Sequence, residues 1–527
     1  MENILNRGQH KYNFIILVLA LSASYAVKKY FQISGLVSFL VFFGLAAIFI
    51  IRGYGAVAKR SAQFRILYSL FPLLLIFIYT MVVGIYGDFD ISSIVFHLDM
   101  GVGGGIPEGQ VKFATRFGLS FLGITAAFWL LINLDQRFLM LDRTLFVPLL
   151  LINPMIWNVG AYLIGSPYDD RLLNVYHAPD QLVQMTDTKK NMIIIYAEST
   201  ERTFAEIPGG DVVFSEMNQL ASSGLEVKGI GQAANTGWSM AGFVTSQCGV
   251  PLQPLGLLSH NMYDRQKTFF PGISCLSDVL NKSGYHAEYI NGSDHEFAGM
   301  TTFLKSHNFN EAHGLHNIAA AGDYHNDWGL YDDTVFAHAE ERIRLLHQAD
   351  KPFVLSVATI GAHFPHGHPT QSCRQAFPQN KLPDILFSVK CTGYEINRFI
   401  GNLQREGRTK NTVIVIVSDH LMMKNDFEEQ LNQKQRLNYF AVLADNIHPK
   451  LLERQAAMFD VFPTLLDLLG FNLSAGRAGL GVSLLSEHET LTERYGAEQV
   501  DALIKNDRLL ARKIWSEPQS EFAVSAR

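Results

Sequence analysis

Three apolar runs beyond residue 190 each end in a side chain that can bind a metal or move a proton. Asn191-Met-Ile-Ile-Ile-Tyr-Ala197 runs into Glu198-Ser199-Thr200, Thr412-Val-Ile-Val-Ile-Val-Ser418 into Asp419-His420, and 352–359 into Gly361-Ala-His363-Phe-Pro365. Carboxylate oxygen and imidazole nitrogen together suit a hard or borderline divalent cation. Taken singly, each group also reads as a polar loop residue or a helix cap. Taken together they point to a metal, because unpaired carboxylates at buried strand ends cost free energy unless neutralised. A fourth feature is the small-residue loop Gln232-Ala-Ala-Asn-Thr236-Gly-Trp-Ser239, which enters a helical stretch. Thr236 is expected at or near the N-cap of that helix, with Ser239 as the alternative cap. The same place suits a hydroxyl nucleophile, since a helix N-terminus favours phosphate and developing negative charge. A neighbouring metal would lower the hydroxyl's pKa.

The elements that must position these groups follow from hydropathy. The three runs, with a fourth at 439–443, are continuously apolar, as strands covered on both faces are. Helical patterns fall between them at 276–283, 333–348 and 386–406. Strands alternating with helices predict an α/β domain with a mostly parallel sheet, and in such sheets sites form at the carboxyl ends of strands. The stretch 491–515 reads as one charged helix packed on the surface.

Ahead of this domain lie five apolar segments, at 13–27, 32–51, 66–86, 117–134 and 144–165. Most approach the roughly 20 residues of a membrane-spanning helix. Arg7, Lys11, Arg52, Lys59, Arg60, Arg65, Arg137 and Arg143 then fall on one side, and Lys28, Lys29, Lys112 and Arg116 on the other. That bias places the N-terminus in the cytoplasm and everything after the fifth span outside it. The expected organisation is an anchor of transmembrane helices over 1–165, a juxtamembrane connector over 166–190 and an extracytoplasmic domain over 191–527. No charged residue sits in mid-membrane as a transport relay would require. The net charge of -6 leaves no basic footprint for nucleic acid. All four cysteines follow the last apolar segment, and an even number in an exported domain suggests disulfides. Of three connectivities, the sequence-local pairing Cys248–Cys275 and Cys373–Cys391 is favoured. No C-x-x-C pair argues for zinc.

Longer strings carry a resemblance. Ile194-Ile-Tyr-Ala-Glu-Ser-Thr-Glu-Arg-Thr203, Met240-Ala-Gly-Phe-Val-Thr-Ser-Gln-Cys-Gly-Val-Pro-Leu252, Phe303-Leu-Lys-Ser-His307, Asn326-Asp-Trp-Gly-Leu-Tyr-Asp-Asp-Thr334, His363-Phe-Pro365 and Val417-Ser-Asp-His-Leu421 are collinear. The region resembles the sulfatase/alkaline-phosphatase superfamily. Within it, the chain is similar to lipoteichoic acid synthases and more closely to the phosphoglycerol transferases that decorate periplasmic glucans. The resemblance implies that Glu198, Asp419 and His420 are metal ligands. It implies that Thr236 is a threonine nucleophile that also touches the metal, and that His363 contacts the head group or leaving oxygen. It also implies one divalent metal, with manganese preferred and magnesium or zinc as alternatives.

The implied reaction moves phosphoglycerol from phosphatidylglycerol to an envelope glycan through a covalent intermediate on Thr236, releasing diacylglycerol, in a protein of the bacterial inner membrane with a periplasmic domain. The resemblance also shows departures. Where the synthases place a tryptophan and an arginine around glycerol phosphate, this chain has Ala298 and Met300, which leaves Lys305, His307 and Asp327 as candidate head-group contacts. The chain ends soon after the domain, without the long extension of some glucan-modifying relatives. Two rival readings are a phosphoethanolamine transferase acting on lipid A or another glycan, and a non-catalytic metal-binding scaffold or sensor of the envelope.

Overall fold

Alternating strands and helices do build an α/β domain here. The computed structural model describes residues 170–516, apart from 187, 254–266, 320–323, 350, 424 and 508, together with residues 74, 75, 79 and 156. The five apolar segments, those four isolated positions aside, lie outside the described residues. Among the described residues no helix is long and apolar enough to cross a membrane.

In chain order the elements used below are α1 (Arg171–Val175), β1 (Asn191–Ala197), α2 (Ser215–Ser222), β2 (Leu225–Gly231), α3 (Ser239–Cys248), α4 (Leu276–Lys282), β3 (His286–Asn291), α5 (Met300–Ser306), β4 (Glu311–His313), β5 (His325–Asn326), β6 (Gly329–Leu330), α6 (Asp332–Gln348), β7 (Phe353–Ala358), α7 (Gln371–Ala376), α8 (Asp384–Arg405), β8 (Thr412–Ser418), β9 (Phe440–Leu443), β10 (Lys450–Ala457), α9 (Val461–Leu468), α10 (Leu491–Tyr495), α11 (Ala497–Asn506) and α12 (Leu509–Trp515). Eight strands form one sheet in the order β10-β2-β9-β8-β1-β7-β3-β4. Every pairing is parallel except those of β9, which runs antiparallel to β2 and β8. A hairpin of β5 and β6 stands apart from it.

The central strands are apolar throughout because helices cover both faces, and successive side chains point to opposite sides. Ile193, Ile195 and Ala197 of β1 pack into a core with Met217 of α2, Phe336 of α6 and Phe399 of α8. On the other face Tyr196 meets Phe243 of α3 with ring centroids 5.1 Å apart, and Phe243 in turn meets Tyr289 and Phe303.

Four strands of the eight-stranded sheet escaped the sequence reading, each because it breaks the apolar pattern. β10 (Lys-Leu-Leu-Glu-Arg-Gln-Ala-Ala) is a half-exposed edge strand. β2 alternates buried with half-buried positions. β4 is three residues long with none fully buried. β3 hides a fully buried charge, Glu288, which the Arg342 guanidinium holds at 2.5 and 3.0 Å.

The C-terminal stretch also differs from expectation. Instead of one charged surface helix, 491–515 forms α10, α11 and α12, broken at Gly496, which is left-handed at φ 80°, and at Asp507, whose carboxylate accepts from the Leu510 amide. Val500, Leu503, Ile504, Leu510 and Ile514 are buried, so charge on one side masked an apolar face on the other. The stretch read as a connector is partly folded onto the domain. Leu172 of α1 is buried, and bridges join His177 to Gly479 and Gln184 to Phe471. Both disulfides pair as favoured above, Cys248 with Cys275 and Cys373 with Cys391.

Candidate metal and nucleophile site

Adjacent parallel strands in register bring their next residues to the same level. β1 and β8 pair Ala197 with Ser418, and Glu198 and Asp419 follow directly. The Glu198 amide donates to the Thr359 hydroxyl just past β7 (2.9 Å), and the Ser199 amide to Asp419 Oδ1 (2.9 Å). The Ser199 hydroxyl donates to Glu198 Oε1 at 2.8 Å. Glu198, Asp419 and His420 are buried, and each offers a ligand atom within 4.8 Å of the others. His420 Nδ1 lies 2.7 Å from the Leu421 carbonyl. A carbonyl only accepts, so Nδ1 carries the proton. Nε2 therefore faces Glu198 Oε1 at 3.3 Å and Asp419 Oδ2 at 3.6 Å, the orientation that a second hydrogen bond gives to metal-binding histidines.

The electrostatics of the trio are those of a cation site. Burial opposes the charge of His420, but Asp419 and Glu198 outweigh it and hold the imidazole's pKa up at about 10. Burial, and then the charge of Glu198, pushes Asp419 above the usual carboxylate range. Burial also opposes the charge of Glu198, yet His420 and, further off, His363 hold it well below that range. Two buried carboxylates thus share a space in which positive charge is strongly favoured. An oxygen–oxygen–nitrogen donor set of this kind fits a divalent cation.

Helix α3 comes down on this trio. Its first residue, Ser239, donates its hydroxyl to Glu198 Oε2 at 2.9 Å and lies 3.4 Å from His420 Nε2. The N-cap residue is Trp238, with no side-chain cap, so Thr236 lies near the cap as expected but neither it nor Ser239 caps the helix. The loop turns at left-handed Asn235 (φ 61°), which leaves Thr236 two residues before the cap, fully buried, with its hydroxyl donating to the Ala233 carbonyl at 2.7 Å. Gln232 fastens the loop to the exit of β8 by accepting from the Leu421 amide. The approach is closest at Gly242, where a Cβ would fall 1.8 Å from the Asp419 carbonyl oxygen. Gly242→Ala is therefore expected to push α3 off the end of β8, costing about 1–3 kcal/mol as overpacking does and weakening metal binding. Urea unfolding and a metal titration check this. Unchanged metal affinity would separate the helix from the trio.

The histidine loop stands on a buried carboxylate. Asp332, at the start of α6, accepts the amides of Ile360 (2.8 Å) and Gly361 (3.0 Å), and burial pushes it up to about 7. The turn beyond carries His363, half-buried, with Nδ1 donating to the Phe364 carbonyl at 2.9 Å. That leaves Nε2 to accept or pass on a proton. The ring lies against Trp328, with centroids 3.8 Å apart. Asp327 is exposed; burial, and then His363, hold the pKa of His368 down, and the Asp327 charge opposes them.

The structure does not bring His307 to the trio. It is buried at the far end of α3, with Nδ1 2.7 Å from Asp278 and Nε2 3.6 Å from Cys275 Sγ. Ten helical residues place that end about 15 Å from Ser239. Lys305 is exposed on α5, Ala298 buried and Met300 half-buried.

Sequence reasoning missed the Ser239 contact and the buried Glu201. Glu201 accepts from the Met422 amide and from Arg436, whose guanidinium also donates to the Met422 carbonyl, so the pair fastens the segment that follows His420. Glu201 stood inside the matched Glu-Ser-Thr-Glu string, which was the available signal.

A mostly parallel sheet with this trio at the carboxyl ends of its central strands is an α/β domain of the alkaline-phosphatase/sulfatase type. Residues 190–471, more than half of the chain, match the family described as Sulfatase, and the chain belongs to that family. Phosphoglycerol transferase I of Xanthomonas campestris pv. campestris is 34% identical over 320 residues, covering 59% of this chain and 44% of the relative. The protein of the same name from Shigella flexneri is 34% identical over 320 residues, covering 59% and 41%. The chain thus spans under half the length of these curated relatives. Among solved structures, the lipoteichoic acid synthase LtaP from Listeria monocytogenes is similar at 16% identity and a TM-score of 0.47, over 60% of this chain and 81% of that one.

Proposed function

We propose that this chain is a membrane-anchored phosphoglycerol transferase with a periplasmic catalytic domain. It moves the head group of phosphatidylglycerol to a hydroxyl of an envelope glycan. The observation that carries the reading is the buried Glu198–Asp419–His420 trio with the start of α3 laid against it, in a chain 34% identical over 320 residues to phosphoglycerol transferase I.

In the first step the Thr236 hydroxyl gives up its proton to solvent, Oγ1 attacks phosphorus, and the bond to the diacylglycerol oxygen breaks. The leaving oxygen takes a proton from His363, and a phosphoglycerol ester remains on Thr236. In the second step the acceptor hydroxyl gives its proton to His363 Nε2 and attacks the same phosphorus, and Thr236 Oγ1 leaves and takes a proton back from solvent. Splitting the transfer lets one site serve a lipid and a glycan in turn. The positive end of the ten-residue α3 favours the charge that develops on the phosphoryl oxygens. Glu198, Asp419, His420 and Thr236 are the residues that would hold one divalent cation; manganese, with magnesium or zinc as alternatives, would lower the threonine's pKa and stabilise phosphoryl charge.

The donor is tested by incubating detergent-purified protein and manganese with head-group-labelled phosphatidylglycerol or phosphatidylethanolamine. Label on the protein and diacylglycerol release from the first lipid alone are expected. Label only from the second would make the protein a phosphoethanolamine transferase. Label from neither would leave a non-catalytic scaffold or sensor. In the same assay His363→Ala is expected to slow transfer by about 10²–10⁴-fold, and a loss smaller than tenfold would remove it as the proton carrier.

A further inference from the structure

We propose that the exposed rings of Trp328 and Phe297 form a stacking platform for a sugar ring of the acceptor glycan, at the rim of the site beside His363. The proposal deepens the transferase reading and rests on it for the word acceptor.

Both rings break the usual rule for large apolar side chains: Phe297 is 52% and Trp328 39% exposed. They lie edge to face, with centroids 6.5 Å apart. Trp328 in turn covers His363, and His363 lies on Phe364 at 5.0 Å, so an aromatic column runs from the proton-carrying imidazole out to solvent.

Rigid turns present both rings. Trp328 sits at the tip of the β5–β6 hairpin, where its amide donates to Asn326 Oδ1 at 2.8 Å. The next residue, Gly329 (φ 136°), packs against the end of β3 so closely that a Cβ would fall 2.1 Å from the Gly292 carbonyl oxygen. Phe297 is turned outward by two consecutive left-handed residues, Ala298 (φ 58°) and Gly299 (φ 76°). A non-glycine residue held there carries backbone strain of the kind that clusters at binding sites.

The chemistry favours a sugar. Exposed aromatic surface with polar groups at its margin matches a pyranose, which offers C–H bonds on its face and hydroxyls on its edge. Asp327, at the same hairpin tip, supplies a carboxylate acceptor for such hydroxyls. A surface built for anionic lipid would carry Lys or Arg there, and Asp327 would be repelled by it. Sugar stacked on Trp328 also stands next to His363, the group that takes the acceptor's proton.

The test uses the full chain as the Thr236→Ala variant in detergent, without donor lipid, titrated with glucotetraoses of β-1,2, β-1,3, β-1,4 and α-1,4 linkage. Saturable binding of at least one sugar is expected, weakened about tenfold or more by Phe297→Ala and by Trp328→Ala and largely restored by Trp328→Tyr. In transfer assays with active protein, Phe297→Ala is expected to raise the acceptor KM about tenfold with kcat within about twofold, the signature of lost ground-state binding. Circular dichroism shows whether each variant is folded. Absence of binding to every sugar, or equal binding by the variants, overturns the proposal. So does binding of phosphatidylglycerol vesicles that the variants lose, which would assign the rings to a lipid surface. Sugar binding that depends on Trp328, with no phosphoglycerol adduct formed by the protein that retains Thr236, would refute the transferase reading and leave the platform standing.

Discussion

Thr236→Ala is expected to abolish the phosphoglycerol adduct and to lower transfer by about 10⁴-fold or more, as removing a covalent nucleophile does. Thr236→Ser, which keeps the hydroxyl, should retain adduct formation. The geometry makes this a sharp test, because a second hydroxyl competes. Ser239, three residues on, donates to Glu198 at 2.9 Å, whereas Thr236 donates to the Ala233 carbonyl. As the proposed nucleophile, the Thr236 hydroxyl would have to exchange that bond for the site's charge before attacking. Mass spectrometry of labelled protein decides between them. An adduct on the peptide at Thr236 that persists in Ser239→Ala supports the assignment. An adduct on Ser239 that persists in Thr236→Ala would move the nucleophile into the first turn of α3.

The second large effect concerns protons. Asp419 and Glu198 hold His420 up from 6.5 to about 10 against the opposing effect of burial, so at neutral pH the metal-free imidazole is charged. A cation must displace that proton. Apparent metal affinity should then rise with pH up to about 10, with at least one proton released per cation at pH 7. Calorimetry in buffers of different ionisation heat measures this.

Stability follows the same linkage. With the folded pKa raised, the contribution of protonated His420 is fully present below about 6.5 and is lost as pH rises through about 10. The metal-loaded protein does not depend on that proton. The gap in Tm between loaded and metal-free protein should therefore widen from pH 6.5 to 10. Glu198→Gln removes a ligand charge and should cost at least about 10²-fold in metal affinity. A flat pH profile, or an unaffected Glu198→Gln, would rule out a cation at this trio.

The central sheet was legible because burial on both faces demands unbroken apolar runs. β1 and β8 have the limits their hydropathy suggested, and the groups that follow them, Glu198 and Asp419-His420, are the ones the fold brings together. Where a strand lies at an edge, as β10 does, or neutralises a buried charge, as β3 does through Glu288 and Arg342, composition no longer reports burial. The α10–α12 region was misread for a related reason, since its surface charges are interleaved along the chain with the apolar residues beneath. His307 looked functional because a histidine in a matched string draws attention. Its actual partners, Asp278 and a disulfide sulfur, come from distant positions that spacing cannot connect. The same limit hid the Trp328–His363 stack, whose members stand on a hairpin tip and a loop 35 positions apart (363 − 328).

The pairing of Ala197 with Ser418 sets Glu198 and Asp419 level only because β1 and β8 are aligned residue for residue. A slip of one position would move one ligand along the strand by about 3.3 Å and turn it to the opposite face. No cation could then be held by both. For the cation proposed at this trio, metal content would then be a proofreading signal for folding: the fraction of molecules retaining one tightly held ion would count the fraction whose central strands are correctly aligned, with no need to assay turnover.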